Sequence, residues 1–121
     1  MKTKTTLITG GTSGIGASIA KSLLAKGERV ITLGLEMPNW LHENLYGYKA
    51  DLTDEKQTKK AADLISSEHK INSVVHNAGI ILPNLLSKVE TSDVLTLSHI
   101  HLAAPIALTQ AILPNMINDK N

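Results

Sequence analysis

The chain has 121 residues, of which 42% are hydrophobic, so it is long enough for one domain with a core of ordinary size. Its 12 Lys and Arg nearly balance its 11 Asp and Glu, and the formal charge of +1 gives no general reason to bind nucleic acid or a membrane surface. There is no cysteine, which excludes disulfides and thiolate chemistry. No apolar run approaches the roughly 18 residues that cross a bilayer, and no signal peptide is apparent. We therefore expect a cytoplasmic protein with neither a nucleic-acid nor a membrane partner.

The first predicted element is a strand that leads into a glycine-rich turn. The apolar, β-branched run from Thr5 to Ile8 is followed by Thr9-Gly10-Gly11-Thr12-Ser13-Gly14-Ile15-Gly16. Ile15, Ile19 and Leu23 then recur at helical spacing and predict the apolar face of a helix. Glycines let a phosphate approach main-chain amides, and amides at a helix N-terminus attract anions. The turn therefore predicts an anion site.

The glycine spacing distinguishes this turn from two common phosphate-binding patterns. The pattern G-x-G-x-x-G does not fit, because Thr12 stands two residues after Gly10. A P-loop would need Lys-Ser or Lys-Thr after Gly16, where the chain has Ala17-Ser18. Two interpretations remain at this point: a phosphate-binding turn, or a turn that only connects two elements.

Strands and helices alternate along the rest of the chain. Lys26-Gly27 is a typical end for the first helix. In the next helical pattern, Ala61, Leu64 and Ile65 are predicted to face inward, and the nearby lysines outward. Pro105 lies within the last helical pattern and should bend or interrupt it. The further strands are predicted over 29–33, 45–50 and 71–76, and the further helices over 54–68 and from Thr91 onwards.

This alternation predicts an α/β fold, a Rossmann-like doubly wound parallel sheet with helices on both faces. Only the first half of such a sheet is present, with strand order 3-2-1-4. Ligands bind such sheets at the carboxyl ends of the strands. Four polar or glycine-containing segments follow the predicted strands and should meet in one crevice: Gly10 to Gly16, Gly34 to Glu36, Asp51-Leu52 and Asn77 to Gly79.

Several segments resemble the short-chain dehydrogenase/reductase family over nearly the whole chain. The glycine turn is similar to that family's T-G-x-x-x-G-x-G motif, and His76-Asn77-Ala78-Gly79 is similar to its N-N-A-G segment. Asp51-Leu52-Thr53 resembles the aspartate segment after the third strand, and Ile100 to Pro105 resembles the V-N-L-x-G-x stretch of the fourth helix.

The resemblance implies an NAD(P)-dependent oxidoreductase that transfers a hydride between nicotinamide and an alcohol or carbonyl substrate. Asp51 and Leu52 would bind the adenine, and Asn77, Ala78 and Gly79 would flank the nicotinamide-side ribose. The pyrophosphate would be held by the turn, through Gly10, Thr12, Ser13, Gly14, Ile15 and Gly16.

The preference between NAD and NADP rests on the end of the second strand. Gly34 stands where the family places an acidic residue for the ribose of NAD, and Leu35 and Ser13 stand where basic residues for NADP would be. Glu36 follows two residues later, and its carboxylate would repel a 2′-phosphate if it reached the site. We therefore favour NAD, with a merely solvent-exposed Glu36 as the alternative.

The chain also departs from the family pattern at the catalytic residues. His101 occupies the position of the helix asparagine that anchors the proton relay, and it is either a relay residue or a half-buried histidine paired with a carbonyl. His99 is expected to be structural or exposed. The catalytic Tyr-x-x-x-Lys is missing, since Ala50 and Leu52 follow Tyr46 and Tyr48 at that spacing.

We therefore expect residues 1–121 to be the NAD(P)-binding N-terminal part of a longer single-domain enzyme, inactive by itself. Two alternatives stay open. The chain is a non-catalytic dinucleotide-binding module that acts as a sensor or regulator, or it is a structural half-domain that pairs with another subunit. A homo-oligomer is expected in each case, because the fourth helix often packs at a subunit interface in the family.

Overall fold

A computed structural model describes residues 3–79 and 88–118 of the chain. Within these residues, strands and helices alternate as predicted, and the strand ends agree with the predicted ones to within two residues. The strands are β1 (Thr5–Thr9), β2 (Arg29–Gly34), β3 (Leu45–Lys49) and β4 (Ser73–His76). The helices are α1 (Gly14–Ala25), α2 (Glu55–Glu68), α3 (Thr91–Ser98) and α4 (Ala104–Asn118), with a π-helical turn over His99–Ala103 between the last two.

The four strands form one parallel sheet in the order β3-β2-β1-β4. In the register of the central pair, Leu7 lies beside Ile31 and Ile8 beside Thr32. The predicted strand order 3-2-1-4 is confirmed. Because all strands are parallel, their carboxyl ends lie at the same edge of the sheet, where β1 separates β2 from β4.

Each face of the sheet is covered by helices, as the doubly wound fold requires. Successive side chains of β1 point to opposite faces of the sheet. Ile8 packs towards α1, and Leu7 packs towards α2 and α4. Both side chains are fully buried. The first core contains Ile8, Ala20, Leu24 and Val30, and the second includes Leu7, Ile31, Leu33, Ala62, Ile65, Leu108 and Ile112.

The helix faces differ from the predicted ones at two residues. Ile15 is 74% exposed and Leu64 is 49% exposed, so neither faces the core. In α1 the small residues Gly16, Ala17 and Ala20 pack inward instead, because Gly16 lies directly against the glycine turn and leaves no space for a larger side chain. In α2 the buried residues are Thr58, Ala61, Ala62 and Ile65, and the three lysines at 56, 59 and 60 are exposed as predicted.

The predicted interruption of the last helical segment is confirmed, but it lies just before Pro105. The amide of Ala104 donates to the carbonyl of His99, which is the five-residue spacing of a π-helix. Proline lacks an amide proton, and its ring crowds the carbonyl four residues earlier, here that of His101. The wider π turn accommodates both effects and lets α4 continue.

The stretch Thr91–Ile117 is helical and is long and apolar enough to cross a membrane by length and composition, and an 18-residue window within it has a mean hydropathy of 1.4. The expectation from the sequence concerned uninterrupted apolar runs, whereas polar residues lie among the apolar ones in this stretch. Ile100, Ala104, Leu108 and Ile112 of this stretch are buried in the core. Length and composition alone are weak grounds for a membrane span, since core helices of soluble proteins also meet them.

Candidate cofactor-binding site

The carboxyl ends of the strands enclose a crevice of about 270 Å³. Residues after β1, β2, β3 and β4 all contribute to it, as the sequence predicts. One further wall comes from the π turn, through Ile100. The lining residues are Gly10, Gly11, Thr12, Ser13, Leu33, Gly34, Leu35, Glu36, Ala50, Asp51, Leu52, Thr53, Ala78, Gly79 and Ile100.

The glycine turn is held tightly against the neighbouring strands. Gly10 has a φ of +66°, and its amide donates to the carbonyl of Leu33 at 2.9 Å. A Cβ on Gly10 would lie 3.1 Å from the Cα of Ala78, and a Cβ on Gly16 would overlap the carbonyl of Gly10. Two of the glycines are thus needed for close packing of the turn and α1.

The N-terminus of α1 presents main-chain amides to the crevice edge. The first intrahelical bond runs from Ala17 to the carbonyl of Ser13 at 3.1 Å, so the amides of 14–16 precede it. The Ser13 side chain makes no capping hydrogen bond, and no acidic residue lies in the first turn. Gly14 has a φ of +55°, and a Cβ there would meet no atom within 4 Å. This end of α1 can therefore accept an anion.

At the end of β3, the Asp51 carboxylate is oriented by Thr53. The Thr53 amide and hydroxyl donate to Asp51 Oδ1 at 2.9 and 2.6 Å. The Asp51 amide donates to Gln57 Oε1 at 2.9 Å. The two bonds from Thr53 lower the pKa of Asp51 below its ordinary value of 3.8, with a smaller contribution from the nearby His99. Asp51 is thus an ionised acceptor at neutral pH.

At the end of β4, the segment Asn77-Ala78-Gly79 is fixed by β1. Thr9 Oγ1 accepts hydrogen bonds from the amides of Asn77 and Ala78, both at 3.0 Å. The Asn77 side chain donates to the carbonyl of Gly10 at 3.1 Å. Asn77 therefore braces the glycine turn, while Ala78 and Gly79 line the crevice.

The π turn adds Ile100 to the crevice lining, and its two histidines contact residues after β3 and β4. His99 Nδ1 lies 2.7 Å from the carbonyl oxygen of Leu52, which agrees with the expected structural role of this histidine. The imidazole of His101 lies beside Gly79, where a Cβ would be 2.5 Å from its Cε1. The His101 side chain is exposed and does not itself line the crevice.

Most of the predicted site residues meet in this crevice, but five do not line it. These five are Gly14, Ile15, Gly16, Asn77 and His101. Sequence reasoning missed Thr53, whose position directly after Asp51-Leu52 was the available signal. It also missed Ile100 as a lining residue, although Ile100 begins the stretch that resembles V-N-L-x-G-x. Gly11 and Leu35 lie within the segments predicted to meet in the crevice but were not named as cofactor-binding residues, and Leu33 and Ala50 lie outside those segments.

The charged residues of the described crevice lining are both acidic, Glu36 and Asp51. In residues 3–79 and 88–118, no group of three His, Asp or Glu side chains could hold a metal ion. The chemistry offered here is therefore main-chain amides at the start of α1, next to the crevice, and a carboxylate acceptor in its lining.

Comparison with known proteins gives a consistent result. The family described as short chain dehydrogenase matches residues 4–121. The chain is 30% identical over 128 residues to the uncharacterized oxidoreductase YmfI of Bacillus subtilis, covering 98% of this chain and 52% of that protein. It is also 30% identical over 125 residues to a probable NADP-dependent dehydrogenase of Haemophilus influenzae, covering 97% and 50%.

A solved structure supports the same fold. A short chain dehydrogenase from Leptospira borgpetersenii with bound NAD+ superposes with a TM-score of 0.84 at 24% identity, over 94% of this chain and 46% of that one. The chain spans about half the length of the curated relatives it matches. Because the family match extends over nearly all of its residues, the chain belongs to the short chain dehydrogenase family.

Proposed function

We propose that the chain binds a nicotinamide dinucleotide and forms the cofactor-binding part of an oxidoreductase. In that enzyme a hydride passes between nicotinamide and an alcohol or carbonyl substrate. The observation that carries this proposal is the crevice at the four strand ends, with uncapped helix amides next to it and the Asp51 carboxylate in its lining. The family's oxidoreductase relatives support it.

The residues present fit such a cofactor. The amides at the start of α1 and the open space at Gly14 suit a diphosphate, and Asp51 Oδ2 can accept from the amino group of an adenine. Ala78 and Gly79 would lie beside the ribose at the other end. The cofactor supplies hydride chemistry when it is bound, and this chain supplies position and electrostatics.

We further propose a preference for NAD over NADP. Glu36 and Asp51 are the charged residues of the described lining, and a 2′-phosphate at the end of β2 would be repelled by the carboxylate of Glu36. The relatives bind either form: the Haemophilus protein is named for NADP, and the Leptospira structure holds NAD+.

His101 is proposed to act in proton transfer once the catalytic part of the enzyme is present. Its imidazole lies against Gly79 at the nicotinamide-side segment, and an imidazole can both donate and accept a hydrogen bond near neutral pH. The alternative function is a dinucleotide-binding module without turnover. The absence of Tyr-x-x-x-Lys from these 121 residues favours that alternative for the chain alone.

Two glycines provide a matched test. Gly14 and Gly27 both have positive φ, of +55° and +82°, and a Cβ on either would meet no atom within 4 Å. Gly14 begins α1 at the crevice, whereas Gly27 follows its other end. Gly14→Val and Gly27→Val should each cost roughly 1–2 kcal/mol of stability from left-handed backbone strain. Only Gly14→Val should abolish binding of NADH, measured by calorimetry.

The outcomes separate the alternatives. Unchanged NADH affinity in Gly14→Val would overturn the proposed phosphate site. Equal losses of NADH affinity in Gly14→Val and Gly27→Val would mean that the loss comes from lower stability and not from the phosphate site. A chain that binds NADH but never oxidises it with carbonyl substrates, also when tested with any residues that its reading frame encodes beyond position 121, is a binding module. Stronger binding of NADPH than of NADH would overturn the proposed preference.

A further inference from the structure

The π turn joins the two ends of the cofactor crevice through consecutive residues. His99 contacts the carbonyl of Leu52 on the adenine side, and His101 lies against Gly79 on the nicotinamide side. Ile100 between them is 8% exposed and lines the crevice. Residues two apart on a helix point in divergent directions, so His99 and His101 contact different strand-end segments, with Ile100 between them in the crevice wall.

The peptide group between Leu52 and Thr53 is held at both of its ends. Its carbonyl oxygen, that of Leu52, accepts from His99 Nδ1 at 2.7 Å, which requires the tautomer with the proton on Nδ1. Its amide, that of Thr53, donates to Asp51 Oδ1 at 2.9 Å. The orientation of this one peptide plane therefore couples the imidazole to the carboxylate.

Resting on the proposed function, we infer that His99 is a positioning residue for recognition of the adenosine half of the cofactor. By holding the Leu52–Thr53 peptide, it keeps both Thr53 donors on Asp51 Oδ1. The other oxygen, Oδ2, is then directed to accept from a ligand. Loss of the imidazole bond frees the peptide to rotate, and rotation takes the Thr53 amide away from the carboxylate. The position of the ligand acceptor is lost with it.

Two amide-containing variants test this with little change in size. The Nδ2 of asparagine takes the place of His Nδ1, whereas the Nε2 of glutamine takes the place of His Nε2. His99→Asn should therefore keep the bond to Leu52, and His99→Gln should lose it. His99→Ala completes the series. The probes are AMP, for the adenosine half, and NADH, with affinities measured by calorimetry on the 121-residue chain.

We expect His99→Gln and His99→Ala to weaken AMP and NADH binding by about tenfold, the upper range for one hydrogen bond, and His99→Asn to stay close to wild type. A second readout needs no ligand. The pKa of Asp51, measured by NMR, should rise towards its ordinary value in His99→Gln and His99→Ala, and should rise less in His99→Asn, which loses only the smaller contribution of the imidazole itself. A merely structural role of His99 would not separate asparagine from glutamine in this way.

The results distinguish this inference from the proposed function. The inference is wrong, and the proposed function stands, if wild type binds AMP and NADH and His99→Gln binds them with the same affinity. The same holds if His99→Asn loses as much affinity as His99→Gln. If wild type binds neither nucleotide, the proposed function fails, and the Asp51 pKa still shows whether His99 orients the carboxylate. If His99→Ala does not fold, the affinities of His99→Asn and His99→Gln for AMP and NADH are compared without it.

Discussion

The side-chain amide of Asn77 donates a hydrogen bond of 3.1 Å to the carbonyl of Gly10, 67 positions earlier in the chain. This bond ties the end of β4 to the glycine turn after β1. The same amide nitrogen lies so near Gly16 that a Cβ there would be 2.5 Å from it. The geometry of the anion site therefore depends on a residue that does not line the crevice.

Asn77→Ala should lower both stability and NADH affinity. It leaves the Gly10 carbonyl without its donor and removes the brace between β4 and the turn. We expect a loss of about 1–2 kcal/mol in the free energy of unfolding, and about a tenfold loss in affinity. Chemical denaturation and calorimetry measure the two effects.

Asn115 supplies the control for that variant. It braces the chain in the same manner, accepting from the Ile71 amide at 2.9 Å and donating to the carbonyls of Ser66 and His69. It lies outside the crevice lining. Asn115→Ala should lose stability and keep NADH affinity. Equal affinity losses in the two variants would contradict a specific role for Asn77.

Thr32 and Thr9 are both buried in the sheet but differ in their hydrogen bonds. The hydroxyl of Thr32 has no partner among the described residues, whereas Thr9 Oγ1 accepts from two amides. Thr32→Val should leave stability unchanged or raise it by up to about 1 kcal/mol, because it removes an unsatisfied polar group. Thr9→Val should lower it by roughly 1–3 kcal/mol. A large loss in Thr32→Val, measured by urea unfolding, would show that its hydroxyl is satisfied.

Tyr48 predicts a loss of stability at alkaline pH. Burial, with the adjacent Glu68 carboxylate, raises the pKa of Tyr48 from 10.0 to about 12, and its hydroxyl lies 2.8 Å from both Glu68 Oε1 and His69 Nε2. The folded state holds the phenol proton more tightly than the unfolded state. The contribution of Tyr48 to stability is therefore complete below pH 10 and is lost as pH rises towards 12.

The measurement is the ultraviolet titration of tyrosinate together with unfolding at several pH values. Tyr48→Phe should remove the titration near pH 12 and flatten the fall in stability between pH 10 and 12. A variant that keeps the full alkaline fall would place its origin elsewhere.

Gly79 and His101 should be energetically coupled. A Cβ on Gly79 would lie 2.5 Å from His101 Cε1, so Gly79→Ala must displace the imidazole. Because the atoms met belong to the end of an exposed side chain, we expect Gly79→Ala to cost no more than about 1 kcal/mol of stability, and the same change in a His101→Ala background to cost less. A double-mutant cycle in thermal unfolding measures this. Additive effects would mean that the ring moves aside freely.

Glu36 should control discrimination against NADPH. Glu36→Gln removes a carboxylate from the crevice lining without changing its size. The ratio of NADPH to NADH dissociation constants should fall by about three- to tenfold, which corresponds to roughly 1 kcal/mol of screened charge repulsion. Glu43→Gln, at an exposed position outside the lining, is the matched control. No change in the ratio would make Glu36 a solvent-exposed residue only.

The sequence by itself determined the order of the elements and the place of the crevice. Strand and helix periods are local properties, and once the strands are parallel their ends must meet at one edge. The segment from Gly10 to Ser13 could thus be placed in one crevice with Asp51 and Gly79 from the sequence alone.

Only the tertiary structure decided which faces the helices turn inward and how the crevice is held in shape. Ile15 matched a helical pattern, yet it is exposed because Gly16 must lie against Gly10, a contact invisible in the local spacing. His99 reaches Leu52 through a π turn that lengthens one helical ring by a residue. The contact between His99 and Leu52 joins positions 47 residues apart, and the geometry of both contacts depends on packing between elements rather than on the period within any one of them.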